Sequence, residues 1–169
     1  MIGYDRGMIR RFLLPVLLTP FLLHSGDSPR DRATLKGAKA VSVIIDALPS
    51  DFGKEGITSD ALHTRLTNRL RDAGIPVDDA AKEFVGLRVS SIRDTRGPYA
   101  VSIALGFYQP ATLVRDTTMR VAPQTWDSDI VLMAAPKMLS RAASESVDDL
   151  ADRFIAAWRS VNGSDAAQK

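Results

Sequence analysis

YAVSIALGFYQPATLV, Tyr99 to Val114, is the longest run in this 169-residue sequence that reads as one β-strand. Its odd positions, Tyr99, Val101, Ile103, Leu105 and Phe107, are all large and apolar, while Ala100, Ser102, Ala104 and Gly106 between them are small. Successive side chains of a strand point to opposite faces, so one face of this strand is apolar and the other nearly bare. An apolar face needs a covering layer, and amphipathic segments lie on both sides of the run. Pro110 has no N–H to give to a ladder, which predicts a bulge, a bend or a sheet edge near Gln109.

Outward from this strand, Arg93 to Pro98 is a turn cluster, and Glu83 to Ile92 alternates Val85, Leu87 and Val89 with Gly86, Arg88 and Ser90. The two runs therefore read as an antiparallel hairpin. Asp116 and Thr117 make the next turn, Met119 to Trp126 reads as a returning fourth strand, and Ile130 to Ala134 reads either as a strand end or as a loop. Upstream, Ala40 to Asp46 reads as a first strand and Leu48 to Gly56, with Pro49, Gly53 and Gly56, as a loop. A helix follows from Thr58, a suitable N-cap, with Ile57 placed to pack on Leu62. Leu62, Leu66, Leu70 and Ala73 share one stripe, and Gly74 and Ile75 suit a left-handed stop. The last helix is the clearest periodic segment. Val147, Leu150, Ala151, Phe154, Ile155, Ala157, Trp158 and Val161 share one side, the start falls near Lys137, and Asn162 and Gly163 end it. The fold class expected is α+β: a two-layer sandwich with a mostly antiparallel four-stranded sheet and two helices on one face, in the order β-α-β-β-β-α.

The N-terminus reads differently. Met1 to Arg11 is basic, Phe12 to Leu23 is a dense apolar block, and His24 to Asp27 is polar, the order of a secretory signal peptide; Met8 offers a second start. The 12-residue block, interrupted by Pro15 and Pro20, is shorter than the roughly 20 residues a membrane-spanning helix needs. No A-x-A site is present, so Ser25 or Gly26 serves as the small residue for cleavage. The expected organisation is a signal peptide over 1–26, a polar linker over 27–36, one α+β domain over 37–162 and a flexible tail over 163–169. The location implied is periplasmic or secreted, in a bacterium, with membrane contact only through the leader during export.

The leader, the helix end LRDAGI at Leu70 to Ile75, QPATLVRD at Gln109 to Asp116, the pair Thr125 and Trp126, and ESVDDLADRFIAAWRSVN at Glu145 to Asn162 together resemble a group of secreted bacterial proteins without an assigned activity. The resemblance spans most of residues 36–162. It implies a fold and a compartment, and it carries no catalytic residue.

Charge and composition exclude several classes. The chain has 22 basic and 20 acidic residues, but Arg6, Arg10, Arg11 and Asp5 belong to the leader, so the remainder is formally neutral. That balance, with an exported leader, argues against a nucleic-acid partner, which needs a clustered basic face. The absence of cysteine rules out disulfides, thiolate metal sites and a cysteine nucleophile. No phosphate-binding loop, dinucleotide fingerprint, nucleophile elbow or zincin motif is present. Outside the leader His63 is the only histidine, placed at the margin of the helix stripe, where it reads as a boundary residue rather than a base. The acidic clusters Asp78–Asp79, Asp127–Asp129 and Asp148–Asp149–Asp152 lack the alternating ligand spacing of a calcium loop and read as turns and a solvated helix face, with Asp149 and Arg153 spaced for an i,i+4 pair. Arg65, Arg69 and Arg71 spread over the polar side of their helix and also read as solvated. Phe154 and Trp158 read as core.

The small-residue face of the central strand is left without a structural owner. Ser102 and Tyr108 lie on it, Gln109 adjoins it and Trp126 ends a strand expected beside it, so these four residues form the candidate contact site for a ligand or partner. No catalytic residue, metal site or cofactor is expected. Three functions follow in order: an exported, non-catalytic domain that binds another envelope protein or itself; a carrier of a small apolar ligand held between helices and sheet; and a hydrolase using carboxylates with His63.

Overall fold

The computed structural model describes residues 26–93 and 95–163. In chain order the elements are α1 (Pro29–Ala33), β1 (Ser42–Ile45), α2 (Ser50–Lys54), α3 (Ser59–Asp72), β2 (Phe84–Arg93), β3 (Tyr99–Tyr108), β4 (Ala111–Leu113), β5 (Asp116–Val121), β6 (Gln124–Ala134) and α4 (Pro136–Asn162). The four-stranded sheet has the order β1-β2-β3-β6, and β4 and β5 form a separate two-stranded hairpin. β2 and β6 flank β3 antiparallel, whereas β1 joins β2 parallel through the α3 crossover. The class is the α+β sandwich expected, with a mixed sheet.

The core lies where the odd face of β3 points. Tyr99, Val101, Ile103, Leu105 and Phe107 are all buried, together with Val85, Leu87 and Val89 of β2. α4 covers β3 and β6, and α3 covers β1 and lies against α4. The aromatic centre is Phe154, whose ring centroid is 5.2 Å from Trp126, 5.9 Å from Trp158 and 6.1 Å from Phe107. Thus the helix stripe and the strand face read from the sequence meet each other directly.

Local chemistry sets the ends of α3. The Thr58 hydroxyl accepts from Ala61 N at 3.2 Å. At the other end Gly74 adopts φ 83°, Ile75 N donates to Leu70 O at 3.0 Å and Gly74 N to Arg71 O at 2.9 Å, the paired bonds of a Schellman stop. Only a residue tolerant of positive φ closes the helix this way.

Four expectations change. Residues 27–36 do not form a polar linker: α1 begins with a capping box between Ser28 and Asp31, Leu35 is fully buried, and Asn162 at the end of α4 holds the segment by donating to Leu35 O and accepting from Gly37 N. The Leu48–Gly56 loop contains α2, whose Phe52 is buried edge-on to Tyr99. The fourth sheet strand is Gln124–Ala134 rather than Met119–Trp126, so Ile130–Ala134 is strand. Asp127 and Asp129 are strand residues facing outward, not turn residues; Ser128 between them is buried and accepts from the Arg153 guanidinium at 3.0 Å. A polar trio in mid-strand resembles a turn locally, and the buried member is tolerated only because α4 supplies its partner. Except for Gly26, the leader lies outside the described residues, as does the tail beyond Gly163. No helix of the described residues is long and apolar enough to cross a membrane.

Candidate binding face

The strand register lays out the sheet face that carries no helices, row by row. Phe84, Tyr108 and Gln124 form one end; Gly86, Gly106 and Asp127 come next, then Arg88, Ala104 and Asp129, then Ser90, Ser102 and Val131, and finally Ile92, Ala100 and Met133. At the first end the face covers itself. Tyr108 stacks on Phe84 with centroids 4.7 Å apart and planes 5° from parallel, and its hydroxyl donates to Gln124 Oε1 at 2.6 Å. The ring lies over the two glycines: a Cβ at Gly86 would sit 2.9 Å from Tyr108 Cε2, and one at Gly106 would sit 2.8 Å from Gln124 Oε1. The missing side chains of Gly86 and Gly106 are therefore the seat of the Tyr108 ring.

The far end of the face is apolar and open. Ile92, Val131 and Met133 are 75%, 72% and 66% exposed, around a floor of Ala100 and Ser102. Between Ile92 and Val131 lies a shallow depression of about 300 Å³, also bordered by Ser90 and Ser91. The middle row carries charge. Arg88 donates to Asp46 at 3.0 Å, whereas Asp127 and Asp129 form no ion pair with a described residue.

The four residues singled out in the sequence do not converge. Ser102 and Tyr108 share the open face but stand six residues apart on β3, about 20 Å along the strand. Trp126 is on the opposite face: it pairs with Phe107, is 1% exposed, and its indole N–H donates to the Asp27 carboxylate at 2.8 Å. Its pairing with Phe107 is the reason, since directly paired residues share a face and Phe107 points into the core; the register shift that follows brings Gln124 instead of Thr125 beside Tyr108. Gln109 donates to the Thr125 hydroxyl at 3.0 Å, which also meets Thr34 next to α1. Trp126 and Gln109 thus belong to the seam that locks α1 against β6. Ile92, Val131 and Met133 are the residues that sequence reading missed. Ile92 shares parity with Ser90 and Gly86, a usable signal, whereas Val131 and Met133 required β6 to be recognised as a strand.

Other candidates resolve structurally. His63 is half-buried on α3 and has no hydrogen bond to a described residue. Arg65 and Arg69 of α3 are exposed, as read, and also reach across to α4: Arg65 donates twice to Asp148, at 2.7 and 2.6 Å, and Arg69 makes a second forked pair with Asp152. The Arg65 hydrogen bonds hold the Asp148 carboxyl below its ordinary range against the opposing effect of partial burial. Arg153 does not pair with Asp149; it reaches Ser128 Oγ and Asp129 O instead. Asp78 accepts from Ala80 N, the turn role read for it. Among the described residues no three acidic or histidine side chains converge.

The β4–β5 hairpin projects from the Tyr108 end as an arm. Ala111 pairs with Val121 and Thr112 with Arg120, so Ala111, Met119 and Val121 share one side and Thr112, Thr118 and Arg120 the other. Met119 is 48% exposed, and Val114 in the turn is fully exposed. In the same turn region Asp116 accepts from Thr118 N and Oγ1, which lowers the carboxyl below its ordinary range.

No protein-family model matches the chain, and no characterised protein matches it in sequence. Solved structures with a similar trace include a dodecameric PelC variant from Paraburkholderia phytofirmans, 13% identical, with a TM-score of 0.41 over 69% of this chain and 86% of that one. A minor lipoprotein from Acinetobacter baumannii is 13% identical, with a TM-score of 0.35 over 72% and 90% of the two chains. A homolog of the neuraminyllactose-binding hemagglutinin from Helicobacter pylori is 12% identical, with a TM-score of 0.27 over 79% and 84%. These neighbours are bacterial, and at such scores they assign neither family nor function.

Proposed function

We propose that this chain is an exported, non-catalytic domain of the bacterial cell envelope that acts by binding protein through the open sheet face. One observation carries the reading: Ile92, Val131 and Met133 stand exposed side by side on a sheet whose other face holds the core. Large exposed aliphatic side chains cost solvation, and clustered around a small-residue floor they form the kind of patch that association covers. The leader pattern of residues 1–26 supports the compartment. Nothing favours the carrier alternative, because sheet and helices meet through the Phe107, Trp126, Phe154 and Trp158 rings.

The test is crosslinking in intact envelopes from a photoreactive residue at position 131. The expected result is a protein adduct, either with the chain itself or with one other species, that disappears in the Ile92→Ser, Met133→Ser variant while its circular dichroism and melting midpoint persist. Equal adducts in the variant, or none in either, refute binding through this face.

A further inference from the structure

The open face and the projecting arm are two unpartnered apolar surfaces on one chain, and they differ in charge. On the face, Val131 and Met133 lie in line with Asp129 and Asp127 along β6, and Arg88 is already occupied by Asp46. The charge left over on that face is therefore acidic. On the arm, fully exposed Val114 adjoins Arg115, Met119 adjoins Arg120, and neither arginine forms an ion pair with a described residue. The one acid of the arm, Asp116, is engaged by Thr118. A two-stranded hairpin is marginal by itself in water, and this one presents Ala111, Met119 and Val121 as an apolar side against which no other described element packs extensively.

We propose that the occupant of the open face is the β4–β5 arm of a second copy of this chain, a partner that specifies and so rests on the binding role proposed above. The arm lays its apolar side over Ile92, Val131 and Met133, with Val114 entering the depression floored by Ala100 and Ser102. Arg115 then stands within reach of Asp129 of the receiving copy, and Arg120 adds to the attraction between basic arm and acidic face. Two open faces laid on each other would do worse: they bring like charges together and leave both arms uncovered. The contact proposed is one-way: the donor keeps a free face and the receiver a free arm, so assembly continues beyond two copies into a ring or a filament.

The chain has no cysteine, which makes site-directed trapping unambiguous. The full-length chain is expressed with its own leader and purified from the envelope fraction as Val114→Cys, Val131→Cys and Asp60→Cys variants, then mixed in pairs with a short bis-maleimide. The expected result is a mixed adduct of Val114→Cys with Val131→Cys at least five-fold above that of Asp60→Cys with Val131→Cys. A doubly substituted chain should give a ladder extending past the dimer. Arg115→Glu should lower the mixed yield several-fold, and Asp129→Arg in the receiving copy should restore it, a rescue that general misfolding does not produce. If Val131→Cys instead links mainly to itself, the arm-to-face contact is overturned while self-association through the face stands. If every pair stays monomeric but the position-131 photoadduct contains another protein and is lost in the Ile92→Ser, Met133→Ser variant, the second copy is overturned and the binding role survives. Monomers with no adduct, or with only a co-purifying lipid, overturn both.

Discussion

Trp126 and Tyr108 have opposite parts in the molecule although both are amphipathic aromatics at the same end of the sheet. Trp126 is packed against Phe154, and its N–H is met by Asp27, a bond from the core to a segment 99 residues away in sequence. Tyr108 is half-buried, resting on Gly86 and Gly106 with its hydroxyl bonded to an exposed glutamine. Removing the indole donor leaves a partly buried carboxylate with one partner fewer and shrinks a filled site. Trp126→Phe should therefore cost about 2–4 kcal/mol in chemical denaturation, from cavity and lost hydrogen bond together. Tyr108→Phe deletes only a solvent-accessible bond, and its cost should stay below about 1 kcal/mol. Equal losses for the two substitutions would contradict the assignment of Trp126 to the core.

At the level of elements, the two long helices are joined by arginines of α3 reaching carboxylates of α4. Asp148 carries the clearest consequence. Its folded-state carboxyl titrates below the ordinary range because Arg65 donates to the charged form, so the unfolded chain takes up the proton first as pH falls. The resulting stabilisation is complete above the unfolded value of about 3.9 and is lost as pH drops through the lower folded value. In urea melts Asp148→Asn should be less stable than the parent at pH 7, by less than about 1 kcal/mol for a pair this accessible. The gap should close once pH has fallen through the lowered folded value, and a gap that persists in the acid limit would mean that packing, not charge, joins the helices at this point. The same pairing shows what a helical wheel leaves out. The wheel places Arg65, Arg69, Asp148 and Asp152 on polar sides, which holds, and they stay accessible to solvent, but a wheel drawn for one helix does not show that the two polar sides meet.

For the molecule as a whole, the arm is a separable feature. The chain enters and leaves it beside Pro110 and Pro123, and the core cluster contains none of its residues. Replacing residues 111–121 by a short Gly-Ser connection should change folding stability by less than about 1 kcal/mol, since no core contact is lost. Native mass spectrometry of the same variant should show only monomer, whereas the parent forms species beyond the dimer. A large drop in melting midpoint would place the arm in the fold instead of on it. Conversely, α1 lies outside the expected domain boundary but is bound to β6 and to the end of α4, so the folded unit includes the chain from Gly26 onward, where Asp127 N donates to Gly26 O at 3.1 Å.

The sequence by itself determined the layers. Period-two alternation in Tyr99–Phe107, the stripes of the two long helices and the Gly74 stop are local patterns whose cause, side-chain direction along a regular backbone, acts within a few residues. They were legible for that reason, and they were enough for the fold class and for the assignment of the odd face to the core. Only the tertiary structure decided what lies beside what. Alternation assigns Val131 and Met133 to one side of a strand without saying whether anything covers that side. The pairing with Phe107 puts Trp126 on the face opposite Tyr108, the register shift that follows brings Gln124 rather than Thr125 beside Tyr108, and the bond from Asp27 to Trp126 spans the domain. Such pairings are set by contacts between residues distant in the chain and leave no mark in the local pattern, so the open face, its acidic row and the arm became visible only once the strands were placed together.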